Sequence, residues 1–261
     1  MSKYYESINK YQSSTIDWCE NNYVISSSIC EFMNSISSFA YIYLAFFGVC
    51  YFPGISSIKN KYKDDNLLDM IKYYSLYNGL YSYYLTIYYI YLLLGLFTLE
   101  FHVKLSFLGQ VLDEISIMVL LLVLNLDAKI SKKRIVNITI ISGIMLIYPG
   151  YNIYLLLGIG ITRWLQLYKT ISHNKDIESI YFFIVASFYN LVAIFFWGID
   201  IGLCNHLYIS THFIWHIFSA LTLYYYIIYS IWYNLINIES PYIYKIHSSY
   251  GIHYIKSYYI T

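Results

Sequence analysis

His212 and His216 stand four residues apart in His212-Phe213-Ile214-Trp215-His216. On a helix that spacing places both imidazoles on one face, where their nitrogens can reach one divalent cation. Two packing histidines near a helix end would show the same spacing, so the pair alone leaves both readings open. A second group is Thr98-Leu99-Glu100-Phe101-His102, followed by Gln110-Val111-Leu112-Asp113-Glu114. Thr98 and His102 again share a helix face; a helix-end histidine and a structural aspartate are the plain alternative. The third group is Asp17-Trp18-Cys19-Glu20-Asn21-Asn22, with Glu31 beyond it. Closely spaced oxygen ligands and a later carboxylate suit calcium, although the central glycine and the spacing of an EF-hand are missing. A solvated acidic turn with Asp17 capping a helix has the same composition.

The elements that carry these residues are lipid-embedded helices. The chain has 261 residues, of which 59% are hydrophobic and only 12% charged, against about 25% charged in soluble domains. Mean hydropathy is +0.50. A net charge of +1 excludes the basic excess that a nucleic-acid partner would require. The 35 tyrosines are read as compositional bias, and none is singled out. Residues 1–34 contain Glu6, Asp17, Glu20 and Glu31 with no basic start and no long apolar core, unlike a cleaved signal peptide.

A spanning helix needs about 20 apolar residues. Seven apolar stretches are expected to span: Ser35–Tyr51, Gly79–Phe101, Leu105–Leu126, Ile135–Tyr148, Asn152–Tyr168, Ser179–Ile199 and Leu207–Trp232. The basic residues support that number. Lys59, Lys61, Lys63, Lys72, Lys129, Lys132, Lys133, Arg134, Lys169, Lys175, Lys245 and Lys256 fall on one side, twelve of the 16 Lys and Arg residues. Lys3, Lys10 and Lys104 fall on the other, and Arg163 lies inside the fifth stretch. By the positive-inside rule the N-terminus is lumenal and the tail cytosolic. The fold expected is an all-α membrane protein, a seven-helix bundle. A lumenal segment, 1–34, precedes the helical domain at 35–233, and a cytosolic tail follows at 234–261. With this topology His102, Asp113, His212 and His216 all lie near the lumenal side at similar depth. Ionisable groups within a membrane are costly and mark function by default.

Together these stretches resemble the alkaline ceramidase family, within a superfamily of seven-span zinc hydrolases that includes adiponectin-type receptors. The resemblance rests on Ser14 to Tyr23 with Glu31-Phe32-Met33-Asn34; on Phe101-His102 with Gln110 to Glu114; on Trp197-Gly198-Ile199-Asp200 with Cys204; and on His212 to His216. It implies zinc ligands at His102, His212 and His216, with Asp113 hydrogen-bonding the attacking water. It implies a hydroxyl at Thr98 that steadies the water or the oxyanion. The family's usual Gly-x-Gly-Ser pattern reads Gly95-Leu96-Phe97-Thr98 here, with one glycine lost and a methyl gained. It implies a calcium ion held by Asp17, the Trp18 carbonyl, Glu20, Asn22 and Glu31. It also implies a Cys19–Cys204 disulfide on the oxidising lumenal side, with Cys30 as a competitor and Cys50 inside the first span. The loop between Cys204 and His212 is shorter than the family leads one to expect. The activity implied is calcium-modulated hydrolysis of the ceramide amide bond to a sphingoid base and a fatty acid, in the endoplasmic reticulum or Golgi. Other readings are a related membrane hydrolase acting on another lipid, such as a glycosylphosphatidylinositol anchor, and a non-catalytic receptor or transporter with structural zinc.

Overall fold

The computed structural model describes residues 13–52, 67–124, 126, 128–174, 176–207, 210–237 and 242–259, and among these described residues are eight α-helices and one small hairpin. Lys3, Lys10, Lys59, Lys61, Lys63 and Lys175, part of the charge asymmetry, lie outside the described residues. The helices are α1 (Phe32–Ser37), α2 (Phe39–Cys50), α3 (Leu67–Lys104), α4 (Phe107–Val123), α5 (Lys132–Ile147), α6 (Asn152–Asn174), α7 (Ile177–Leu207) and α8 (His212–Ile236). A short 3₁₀ turn, Pro149–Tyr151, joins α5 to α6.

Helices occupy all seven stretches expected to span, with α1 and α2 together forming the first. Four are individually long and apolar enough to cross a membrane: Phe32–Cys50, Tyr77–Lys104, Ile177–Cys204 and His212–Ile236. The fourth and fifth stretches form one bent pair, turning by 111° at the Pro149 break, because proline removes an amide donor and clashes with the preceding turn. These helices mark a multi-pass membrane protein. Apolar side chains such as Ile140, Tyr154, Ile161, Ile184, Phe188 and Leu191 point outward, as lipid-facing residues do.

Short polar side chains cap some of the helix starts. Ser106 caps α4 by accepting from the Gly109 amide at 3.0 Å. Asp176 accepts from the Ser179 amide at 2.9 Å at the start of α7. Arg163 donates to the carbonyls of Leu121 (2.9 Å) and Leu122 (3.1 Å). Arg163, on α6, therefore covers carbonyls that the end of α4 leaves open.

Close approach in the core depends on small residues. At Gly95 on α3 a Cβ would lie 2.7 Å from the Ile42 side chain on α2, so only glycine permits this helix contact. The tyrosines do more than the composition implied. Tyr41, Tyr84, Tyr88, Tyr91, Tyr224, Tyr225 and Tyr229 are fully buried. Three of these hydroxyls tie helices together: Tyr41 meets Ser219 at 2.6 Å, Tyr84 meets Ser230 at 2.8 Å, and Tyr91 donates to the Ala220 carbonyl at 2.7 Å. Buried tyrosine usually finds such a partner.

The all-α expectation needs one correction. Within the expected tail, β1 (Tyr242–Ser249) and β2 (Ile252–Tyr259) form an antiparallel hairpin. Its two-residue turn, Tyr250-Gly251, has positive φ at both positions (52° and 77°), the geometry that matches strand twist. The alternation of Tyr, Ile and polar residues suits a strand with one buried face. Ile255 is buried, the Tyr254 ring lies 4.5 Å from that of Tyr51, and Tyr224 donates to the His253 carbonyl at 2.7 Å.

Candidate metal centre

Three rings from two helix ends converge. His102 ends α3, while His212 and His216 occupy the first two turns of α8. All three are buried, at 1%, 2% and 0% exposure. Their ring centroids lie 4.6–5.3 Å apart, and one ring nitrogen of each lies within 4.8 Å of the others.

The second nitrogens orient the rings. His102 Nδ1 lies 2.5 Å from Glu31 Oε2. His216 Nδ1 lies 2.8 Å from Ser37 Oγ and 3.1 Å from the Asn34 carbonyl. Such partners fix the ring and its tautomer, as outer-sphere residues do around a metal. That leaves Nε2 of His102, Nε2 of His216 and Nδ1 of His212 buried without a hydrogen-bond partner. An unsatisfied buried polar atom costs about 1–3 kcal/mol. One nitrogen of each ring lies within reach of a shared cation, so the residues fit a metal ion. His212 is flanked by Trp18, stacked at 3.6 Å and 19°, and by Trp215 at 4.9 Å and 24°.

Asp113 is buried, and its Oδ1 lies 2.5 Å from Thr98 Oγ1. Thr98 precedes His102 by one turn of α3, which puts the pair about 5–6 Å apart between Cβ atoms. The same hydroxyl lies 2.8 Å from the Leu94 carbonyl. Thr98 is therefore engaged in holding Asp113. Glu114 faces elsewhere: it accepts from Gln110 at 2.9 Å and from Asn152 at 2.5 Å, pinning α6 to α4.

The acidic N-terminal segment lies against this centre. The Ser14 amide donates to the Leu105 carbonyl (2.8 Å), and the Cys30 and Glu31 amides donate to the carbonyls of Val103 and His102 (both 3.0 Å). The Asn22 side chain donates to Asp17 at 3.2 Å. Glu20 accepts from the Met33 (2.6 Å) and Asn34 (2.8 Å) amides, closing the start of α1. Glu31 accepts from the Trp18 amide at 3.1 Å and from Asn34 at 3.1 Å. Burial raises the carboxyl of Glu31 to about 7, with further upward pressure from Asp17 and Asp200. Burial also raises that of Glu20, against the lowering effect of its amide donors. Among the described residues, the three histidines form the one group of metal-ligand side chains drawn that closely together. Asp17, Glu20 and Glu31 are neighbours, bound mainly to amides.

Cys19 and Cys204 form a disulfide with Cα atoms 5.3 Å apart, joining positions 185 residues apart in sequence. Cys30 and Cys50 are free.

Sequence reasoning gave no role to Asp200, Ser37 or Asn34. Asp200 is buried and accepts from the amides of Thr211 (2.7 Å), His212 (3.0 Å) and Cys19 (3.1 Å). Asp200 and Asn34 fell within stretches already noted, but no spacing rule reveals a capping contact between separate helices.

Comparison with known proteins identifies the family. The Ceramidase family model matches residues 10–254. Alkaline ceramidase 1 from Homo sapiens is 34% identical over 115 residues, covering 44% of this chain and 36% of that protein. The Mus musculus protein of the same name is 36% identical over 115 residues, 44% of this chain and 34% of the relative. Alkaline ceramidase from Drosophila melanogaster is 26% identical over 235 residues, 81% of this chain and 74% of that protein. The chain spans about a third of the length of the two mammalian relatives it matches. Because the family model covers nearly the whole sequence and includes every residue of the three-histidine centre, this chain belongs to the ceramidase family.

Proposed function

We propose that this protein is a zinc-dependent amidohydrolase that cleaves the N-acyl bond of ceramide-type lipids to a sphingoid base and a free fatty acid. One observation carries the reading. Three buried histidines lie together, each with an unpartnered ring nitrogen, and Thr98, one helical turn before His102, holds the buried Asp113. The family membership and the names of the relatives, alkaline ceramidases, supply the substrate class.

Three histidine ligands with no thiolate match the open zinc site of hydrolases; bound there, zinc would polarise the amide carbonyl and acidify a water. Within the protein, Asp113 accepts the proton of the attacking water and delivers it to the departing sphingoid amine. Thr98 aims that carboxylate. Glu31, Ser37 and the Asn34 carbonyl hold the His102 and His216 rings. Outward apolar residues keep the site within reach of lipid chains. Thr98→Ser keeps the hydroxyl and is expected to hold kcat within a few-fold, whereas Thr98→Val lowers kcat by about 10–100-fold, as loss of an outer partner does. A kinetic series on purified variants measures both.

The proposed topology has seven spans, a lumenal N-terminus and a cytosolic C-terminal hairpin, in the endoplasmic reticulum or Golgi. The Lys/Arg distribution supports it, and the Cys19–Cys204 bridge suits the oxidising side. A calcium ion at Asp17, the Trp18 carbonyl, Glu20, Asn22 and Glu31 would order the segment that covers the histidines. The raised Glu31 carboxyl gives a sign to test. Calcium needs the carboxylate, so binding below pH 7 must displace a proton. With one proton released, calcium affinity falls about tenfold per pH unit below 7 and levels off above. Calcium titration by calorimetry at pH 5, 6, 7 and 8 reads this, and a pH-independent affinity removes Glu31 from the ligand set.

The central experiment combines metal analysis with mass spectrometry of products from a panel of ceramides, ester lipids and acylated inositol lipids. Ceramide cleavage by zinc-loaded protein supports the reading. Cleavage of only the other lipids points to the anchor-remodelling alternative, and zinc without any hydrolysis points to the receptor.

A further inference from the structure

We infer that Asp200 is a positioning residue for the metal ligand His212, an inference that rests on the zinc reading above. The start of α8 has no local cap: Thr211 stands at its N-cap position and makes no side-chain capping bond. The cap comes instead from another helix. Asp200, on α7, puts Oδ1 on the amides of Thr211 (2.7 Å) and His212 (3.0 Å). A carboxylate there meets the open donors and the positive end of the helix dipole.

The other oxygen grips a different segment. Asp200 Oδ2 accepts from the Cys19 amide at 3.1 Å. The neighbouring residue is Trp18, whose indole stacks on the His212 ring at 3.6 Å. One buried carboxylate thus fixes His212 from two directions. It holds the backbone that carries the ring and, through Cys19, the aromatic plate against the ring face. His212 is the ligand whose ring nitrogens show no hydrogen bond among those that orient His102 and His216. Stacking and backbone anchoring take the place of the second-nitrogen contact that the other two rings have. The Cys19–Cys204 disulfide joins the same segments one helical turn further along α7, so covalent and hydrogen-bond ties act in parallel. The bridge limits how far the segments can separate, and Asp200 sets the fine geometry at the ring.

The test uses the full chain in detergent with Asp200→Ala and Asp200→Asn. Ala removes both ties. Asn keeps one oxygen for the two α8 amides but cannot also accept from Cys19 through its NH₂ group. Zinc affinity, measured by competition with a chelator, is expected to weaken by about 10–100-fold in Asp200→Ala, the usual effect of losing an outer-sphere partner. It stays closer to wild type in Asp200→Asn, and excess zinc restores kcat in Asp200→Ala without changing KM. Unchanged zinc affinity in folded Asp200→Ala overturns the assignment, as does equal loss in both variants.

Hydrogen exchange on zinc-free protein separates this inference from the zinc reading. Asp200→Ala is expected to speed exchange in residues 211–215 and 18–22 together, with the disulfide intact. If wild-type protein binds no zinc, the zinc reading fails on its own and the exchange result still decides whether Asp200 holds both segments. Exchange unaltered in either segment overturns the inference.

Discussion

His216→Ala is expected to abolish the proposed ceramide hydrolysis and to remove the metal that the three histidines would hold. The ring is fully buried, its Nδ1 is fixed by Ser37 and Asn34, and its Nε2 has no partner in the protein. Alanine removes one of three nitrogens that lie within 4.8 Å of one another, and two histidines hold zinc far less tightly than three. Loss of an outer partner alone costs about 10–100-fold in affinity or activity, so loss of the ligand itself takes turnover to background. Zinc content by mass spectrometry should fall from about one ion per chain to a small fraction, in step with activity. His173→Ala on exposed α6 is the control. Ceramide turnover at the wild-type rate in His216→Ala would end the zinc mechanism.

The second large effect is expected from Asp113→Asn. The amide is nearly the same shape and its oxygen still meets the Thr98 hydroxyl, 2.5 Å away in the parent. It cannot take a proton from water. Removing a general base costs about 10²–10⁴-fold, and the loss should fall on kcat with KM and zinc content nearly unchanged. The pattern distinguishes chemistry from packing: a packing role predicts lowered thermal stability with kcat per folded molecule preserved. Zinc lost together with activity would make Asp113 a support for the histidines instead of the base.

Much of this architecture was legible because lipid imposes simple rules. Charge-free stretches located the helices, since a spanning helix must satisfy its own backbone and shed charge. The four-residue spacings of Thr98–His102 and His212–His216 placed each pair on one face, and the structure brings the rings together. What stayed hidden depends on contacts between distant segments. Asp200 reads as one more acid at a helix end until α8 is seen to start against it. Ser37 and Asn34 look like an ordinary small-polar run. The hairpin alternation at 242–259 was visible, but Tyr-rich composition had been discounted as bias. That discount also hid the tyrosine hydroxyls that join α2, α3 and α8. The bend between α5 and α6 was marked by Pro149-Gly150, yet its 111° turn depends on how both helices pack on α4.

The N-terminal segment has a further consequence for biosynthesis. Residues 14–31 bond to the α3–α4 turn, to Asp200 on α7, to Cys204 and to the His212 ring. This segment therefore waits, without its partners, until α7 and the start of α8 have been translated. Oxidation of Cys19 too early, with Cys30, would trap it in the wrong place. The three-histidine centre can close only after α8 has been made, so metal uptake there would report that α3 and α8 have come together.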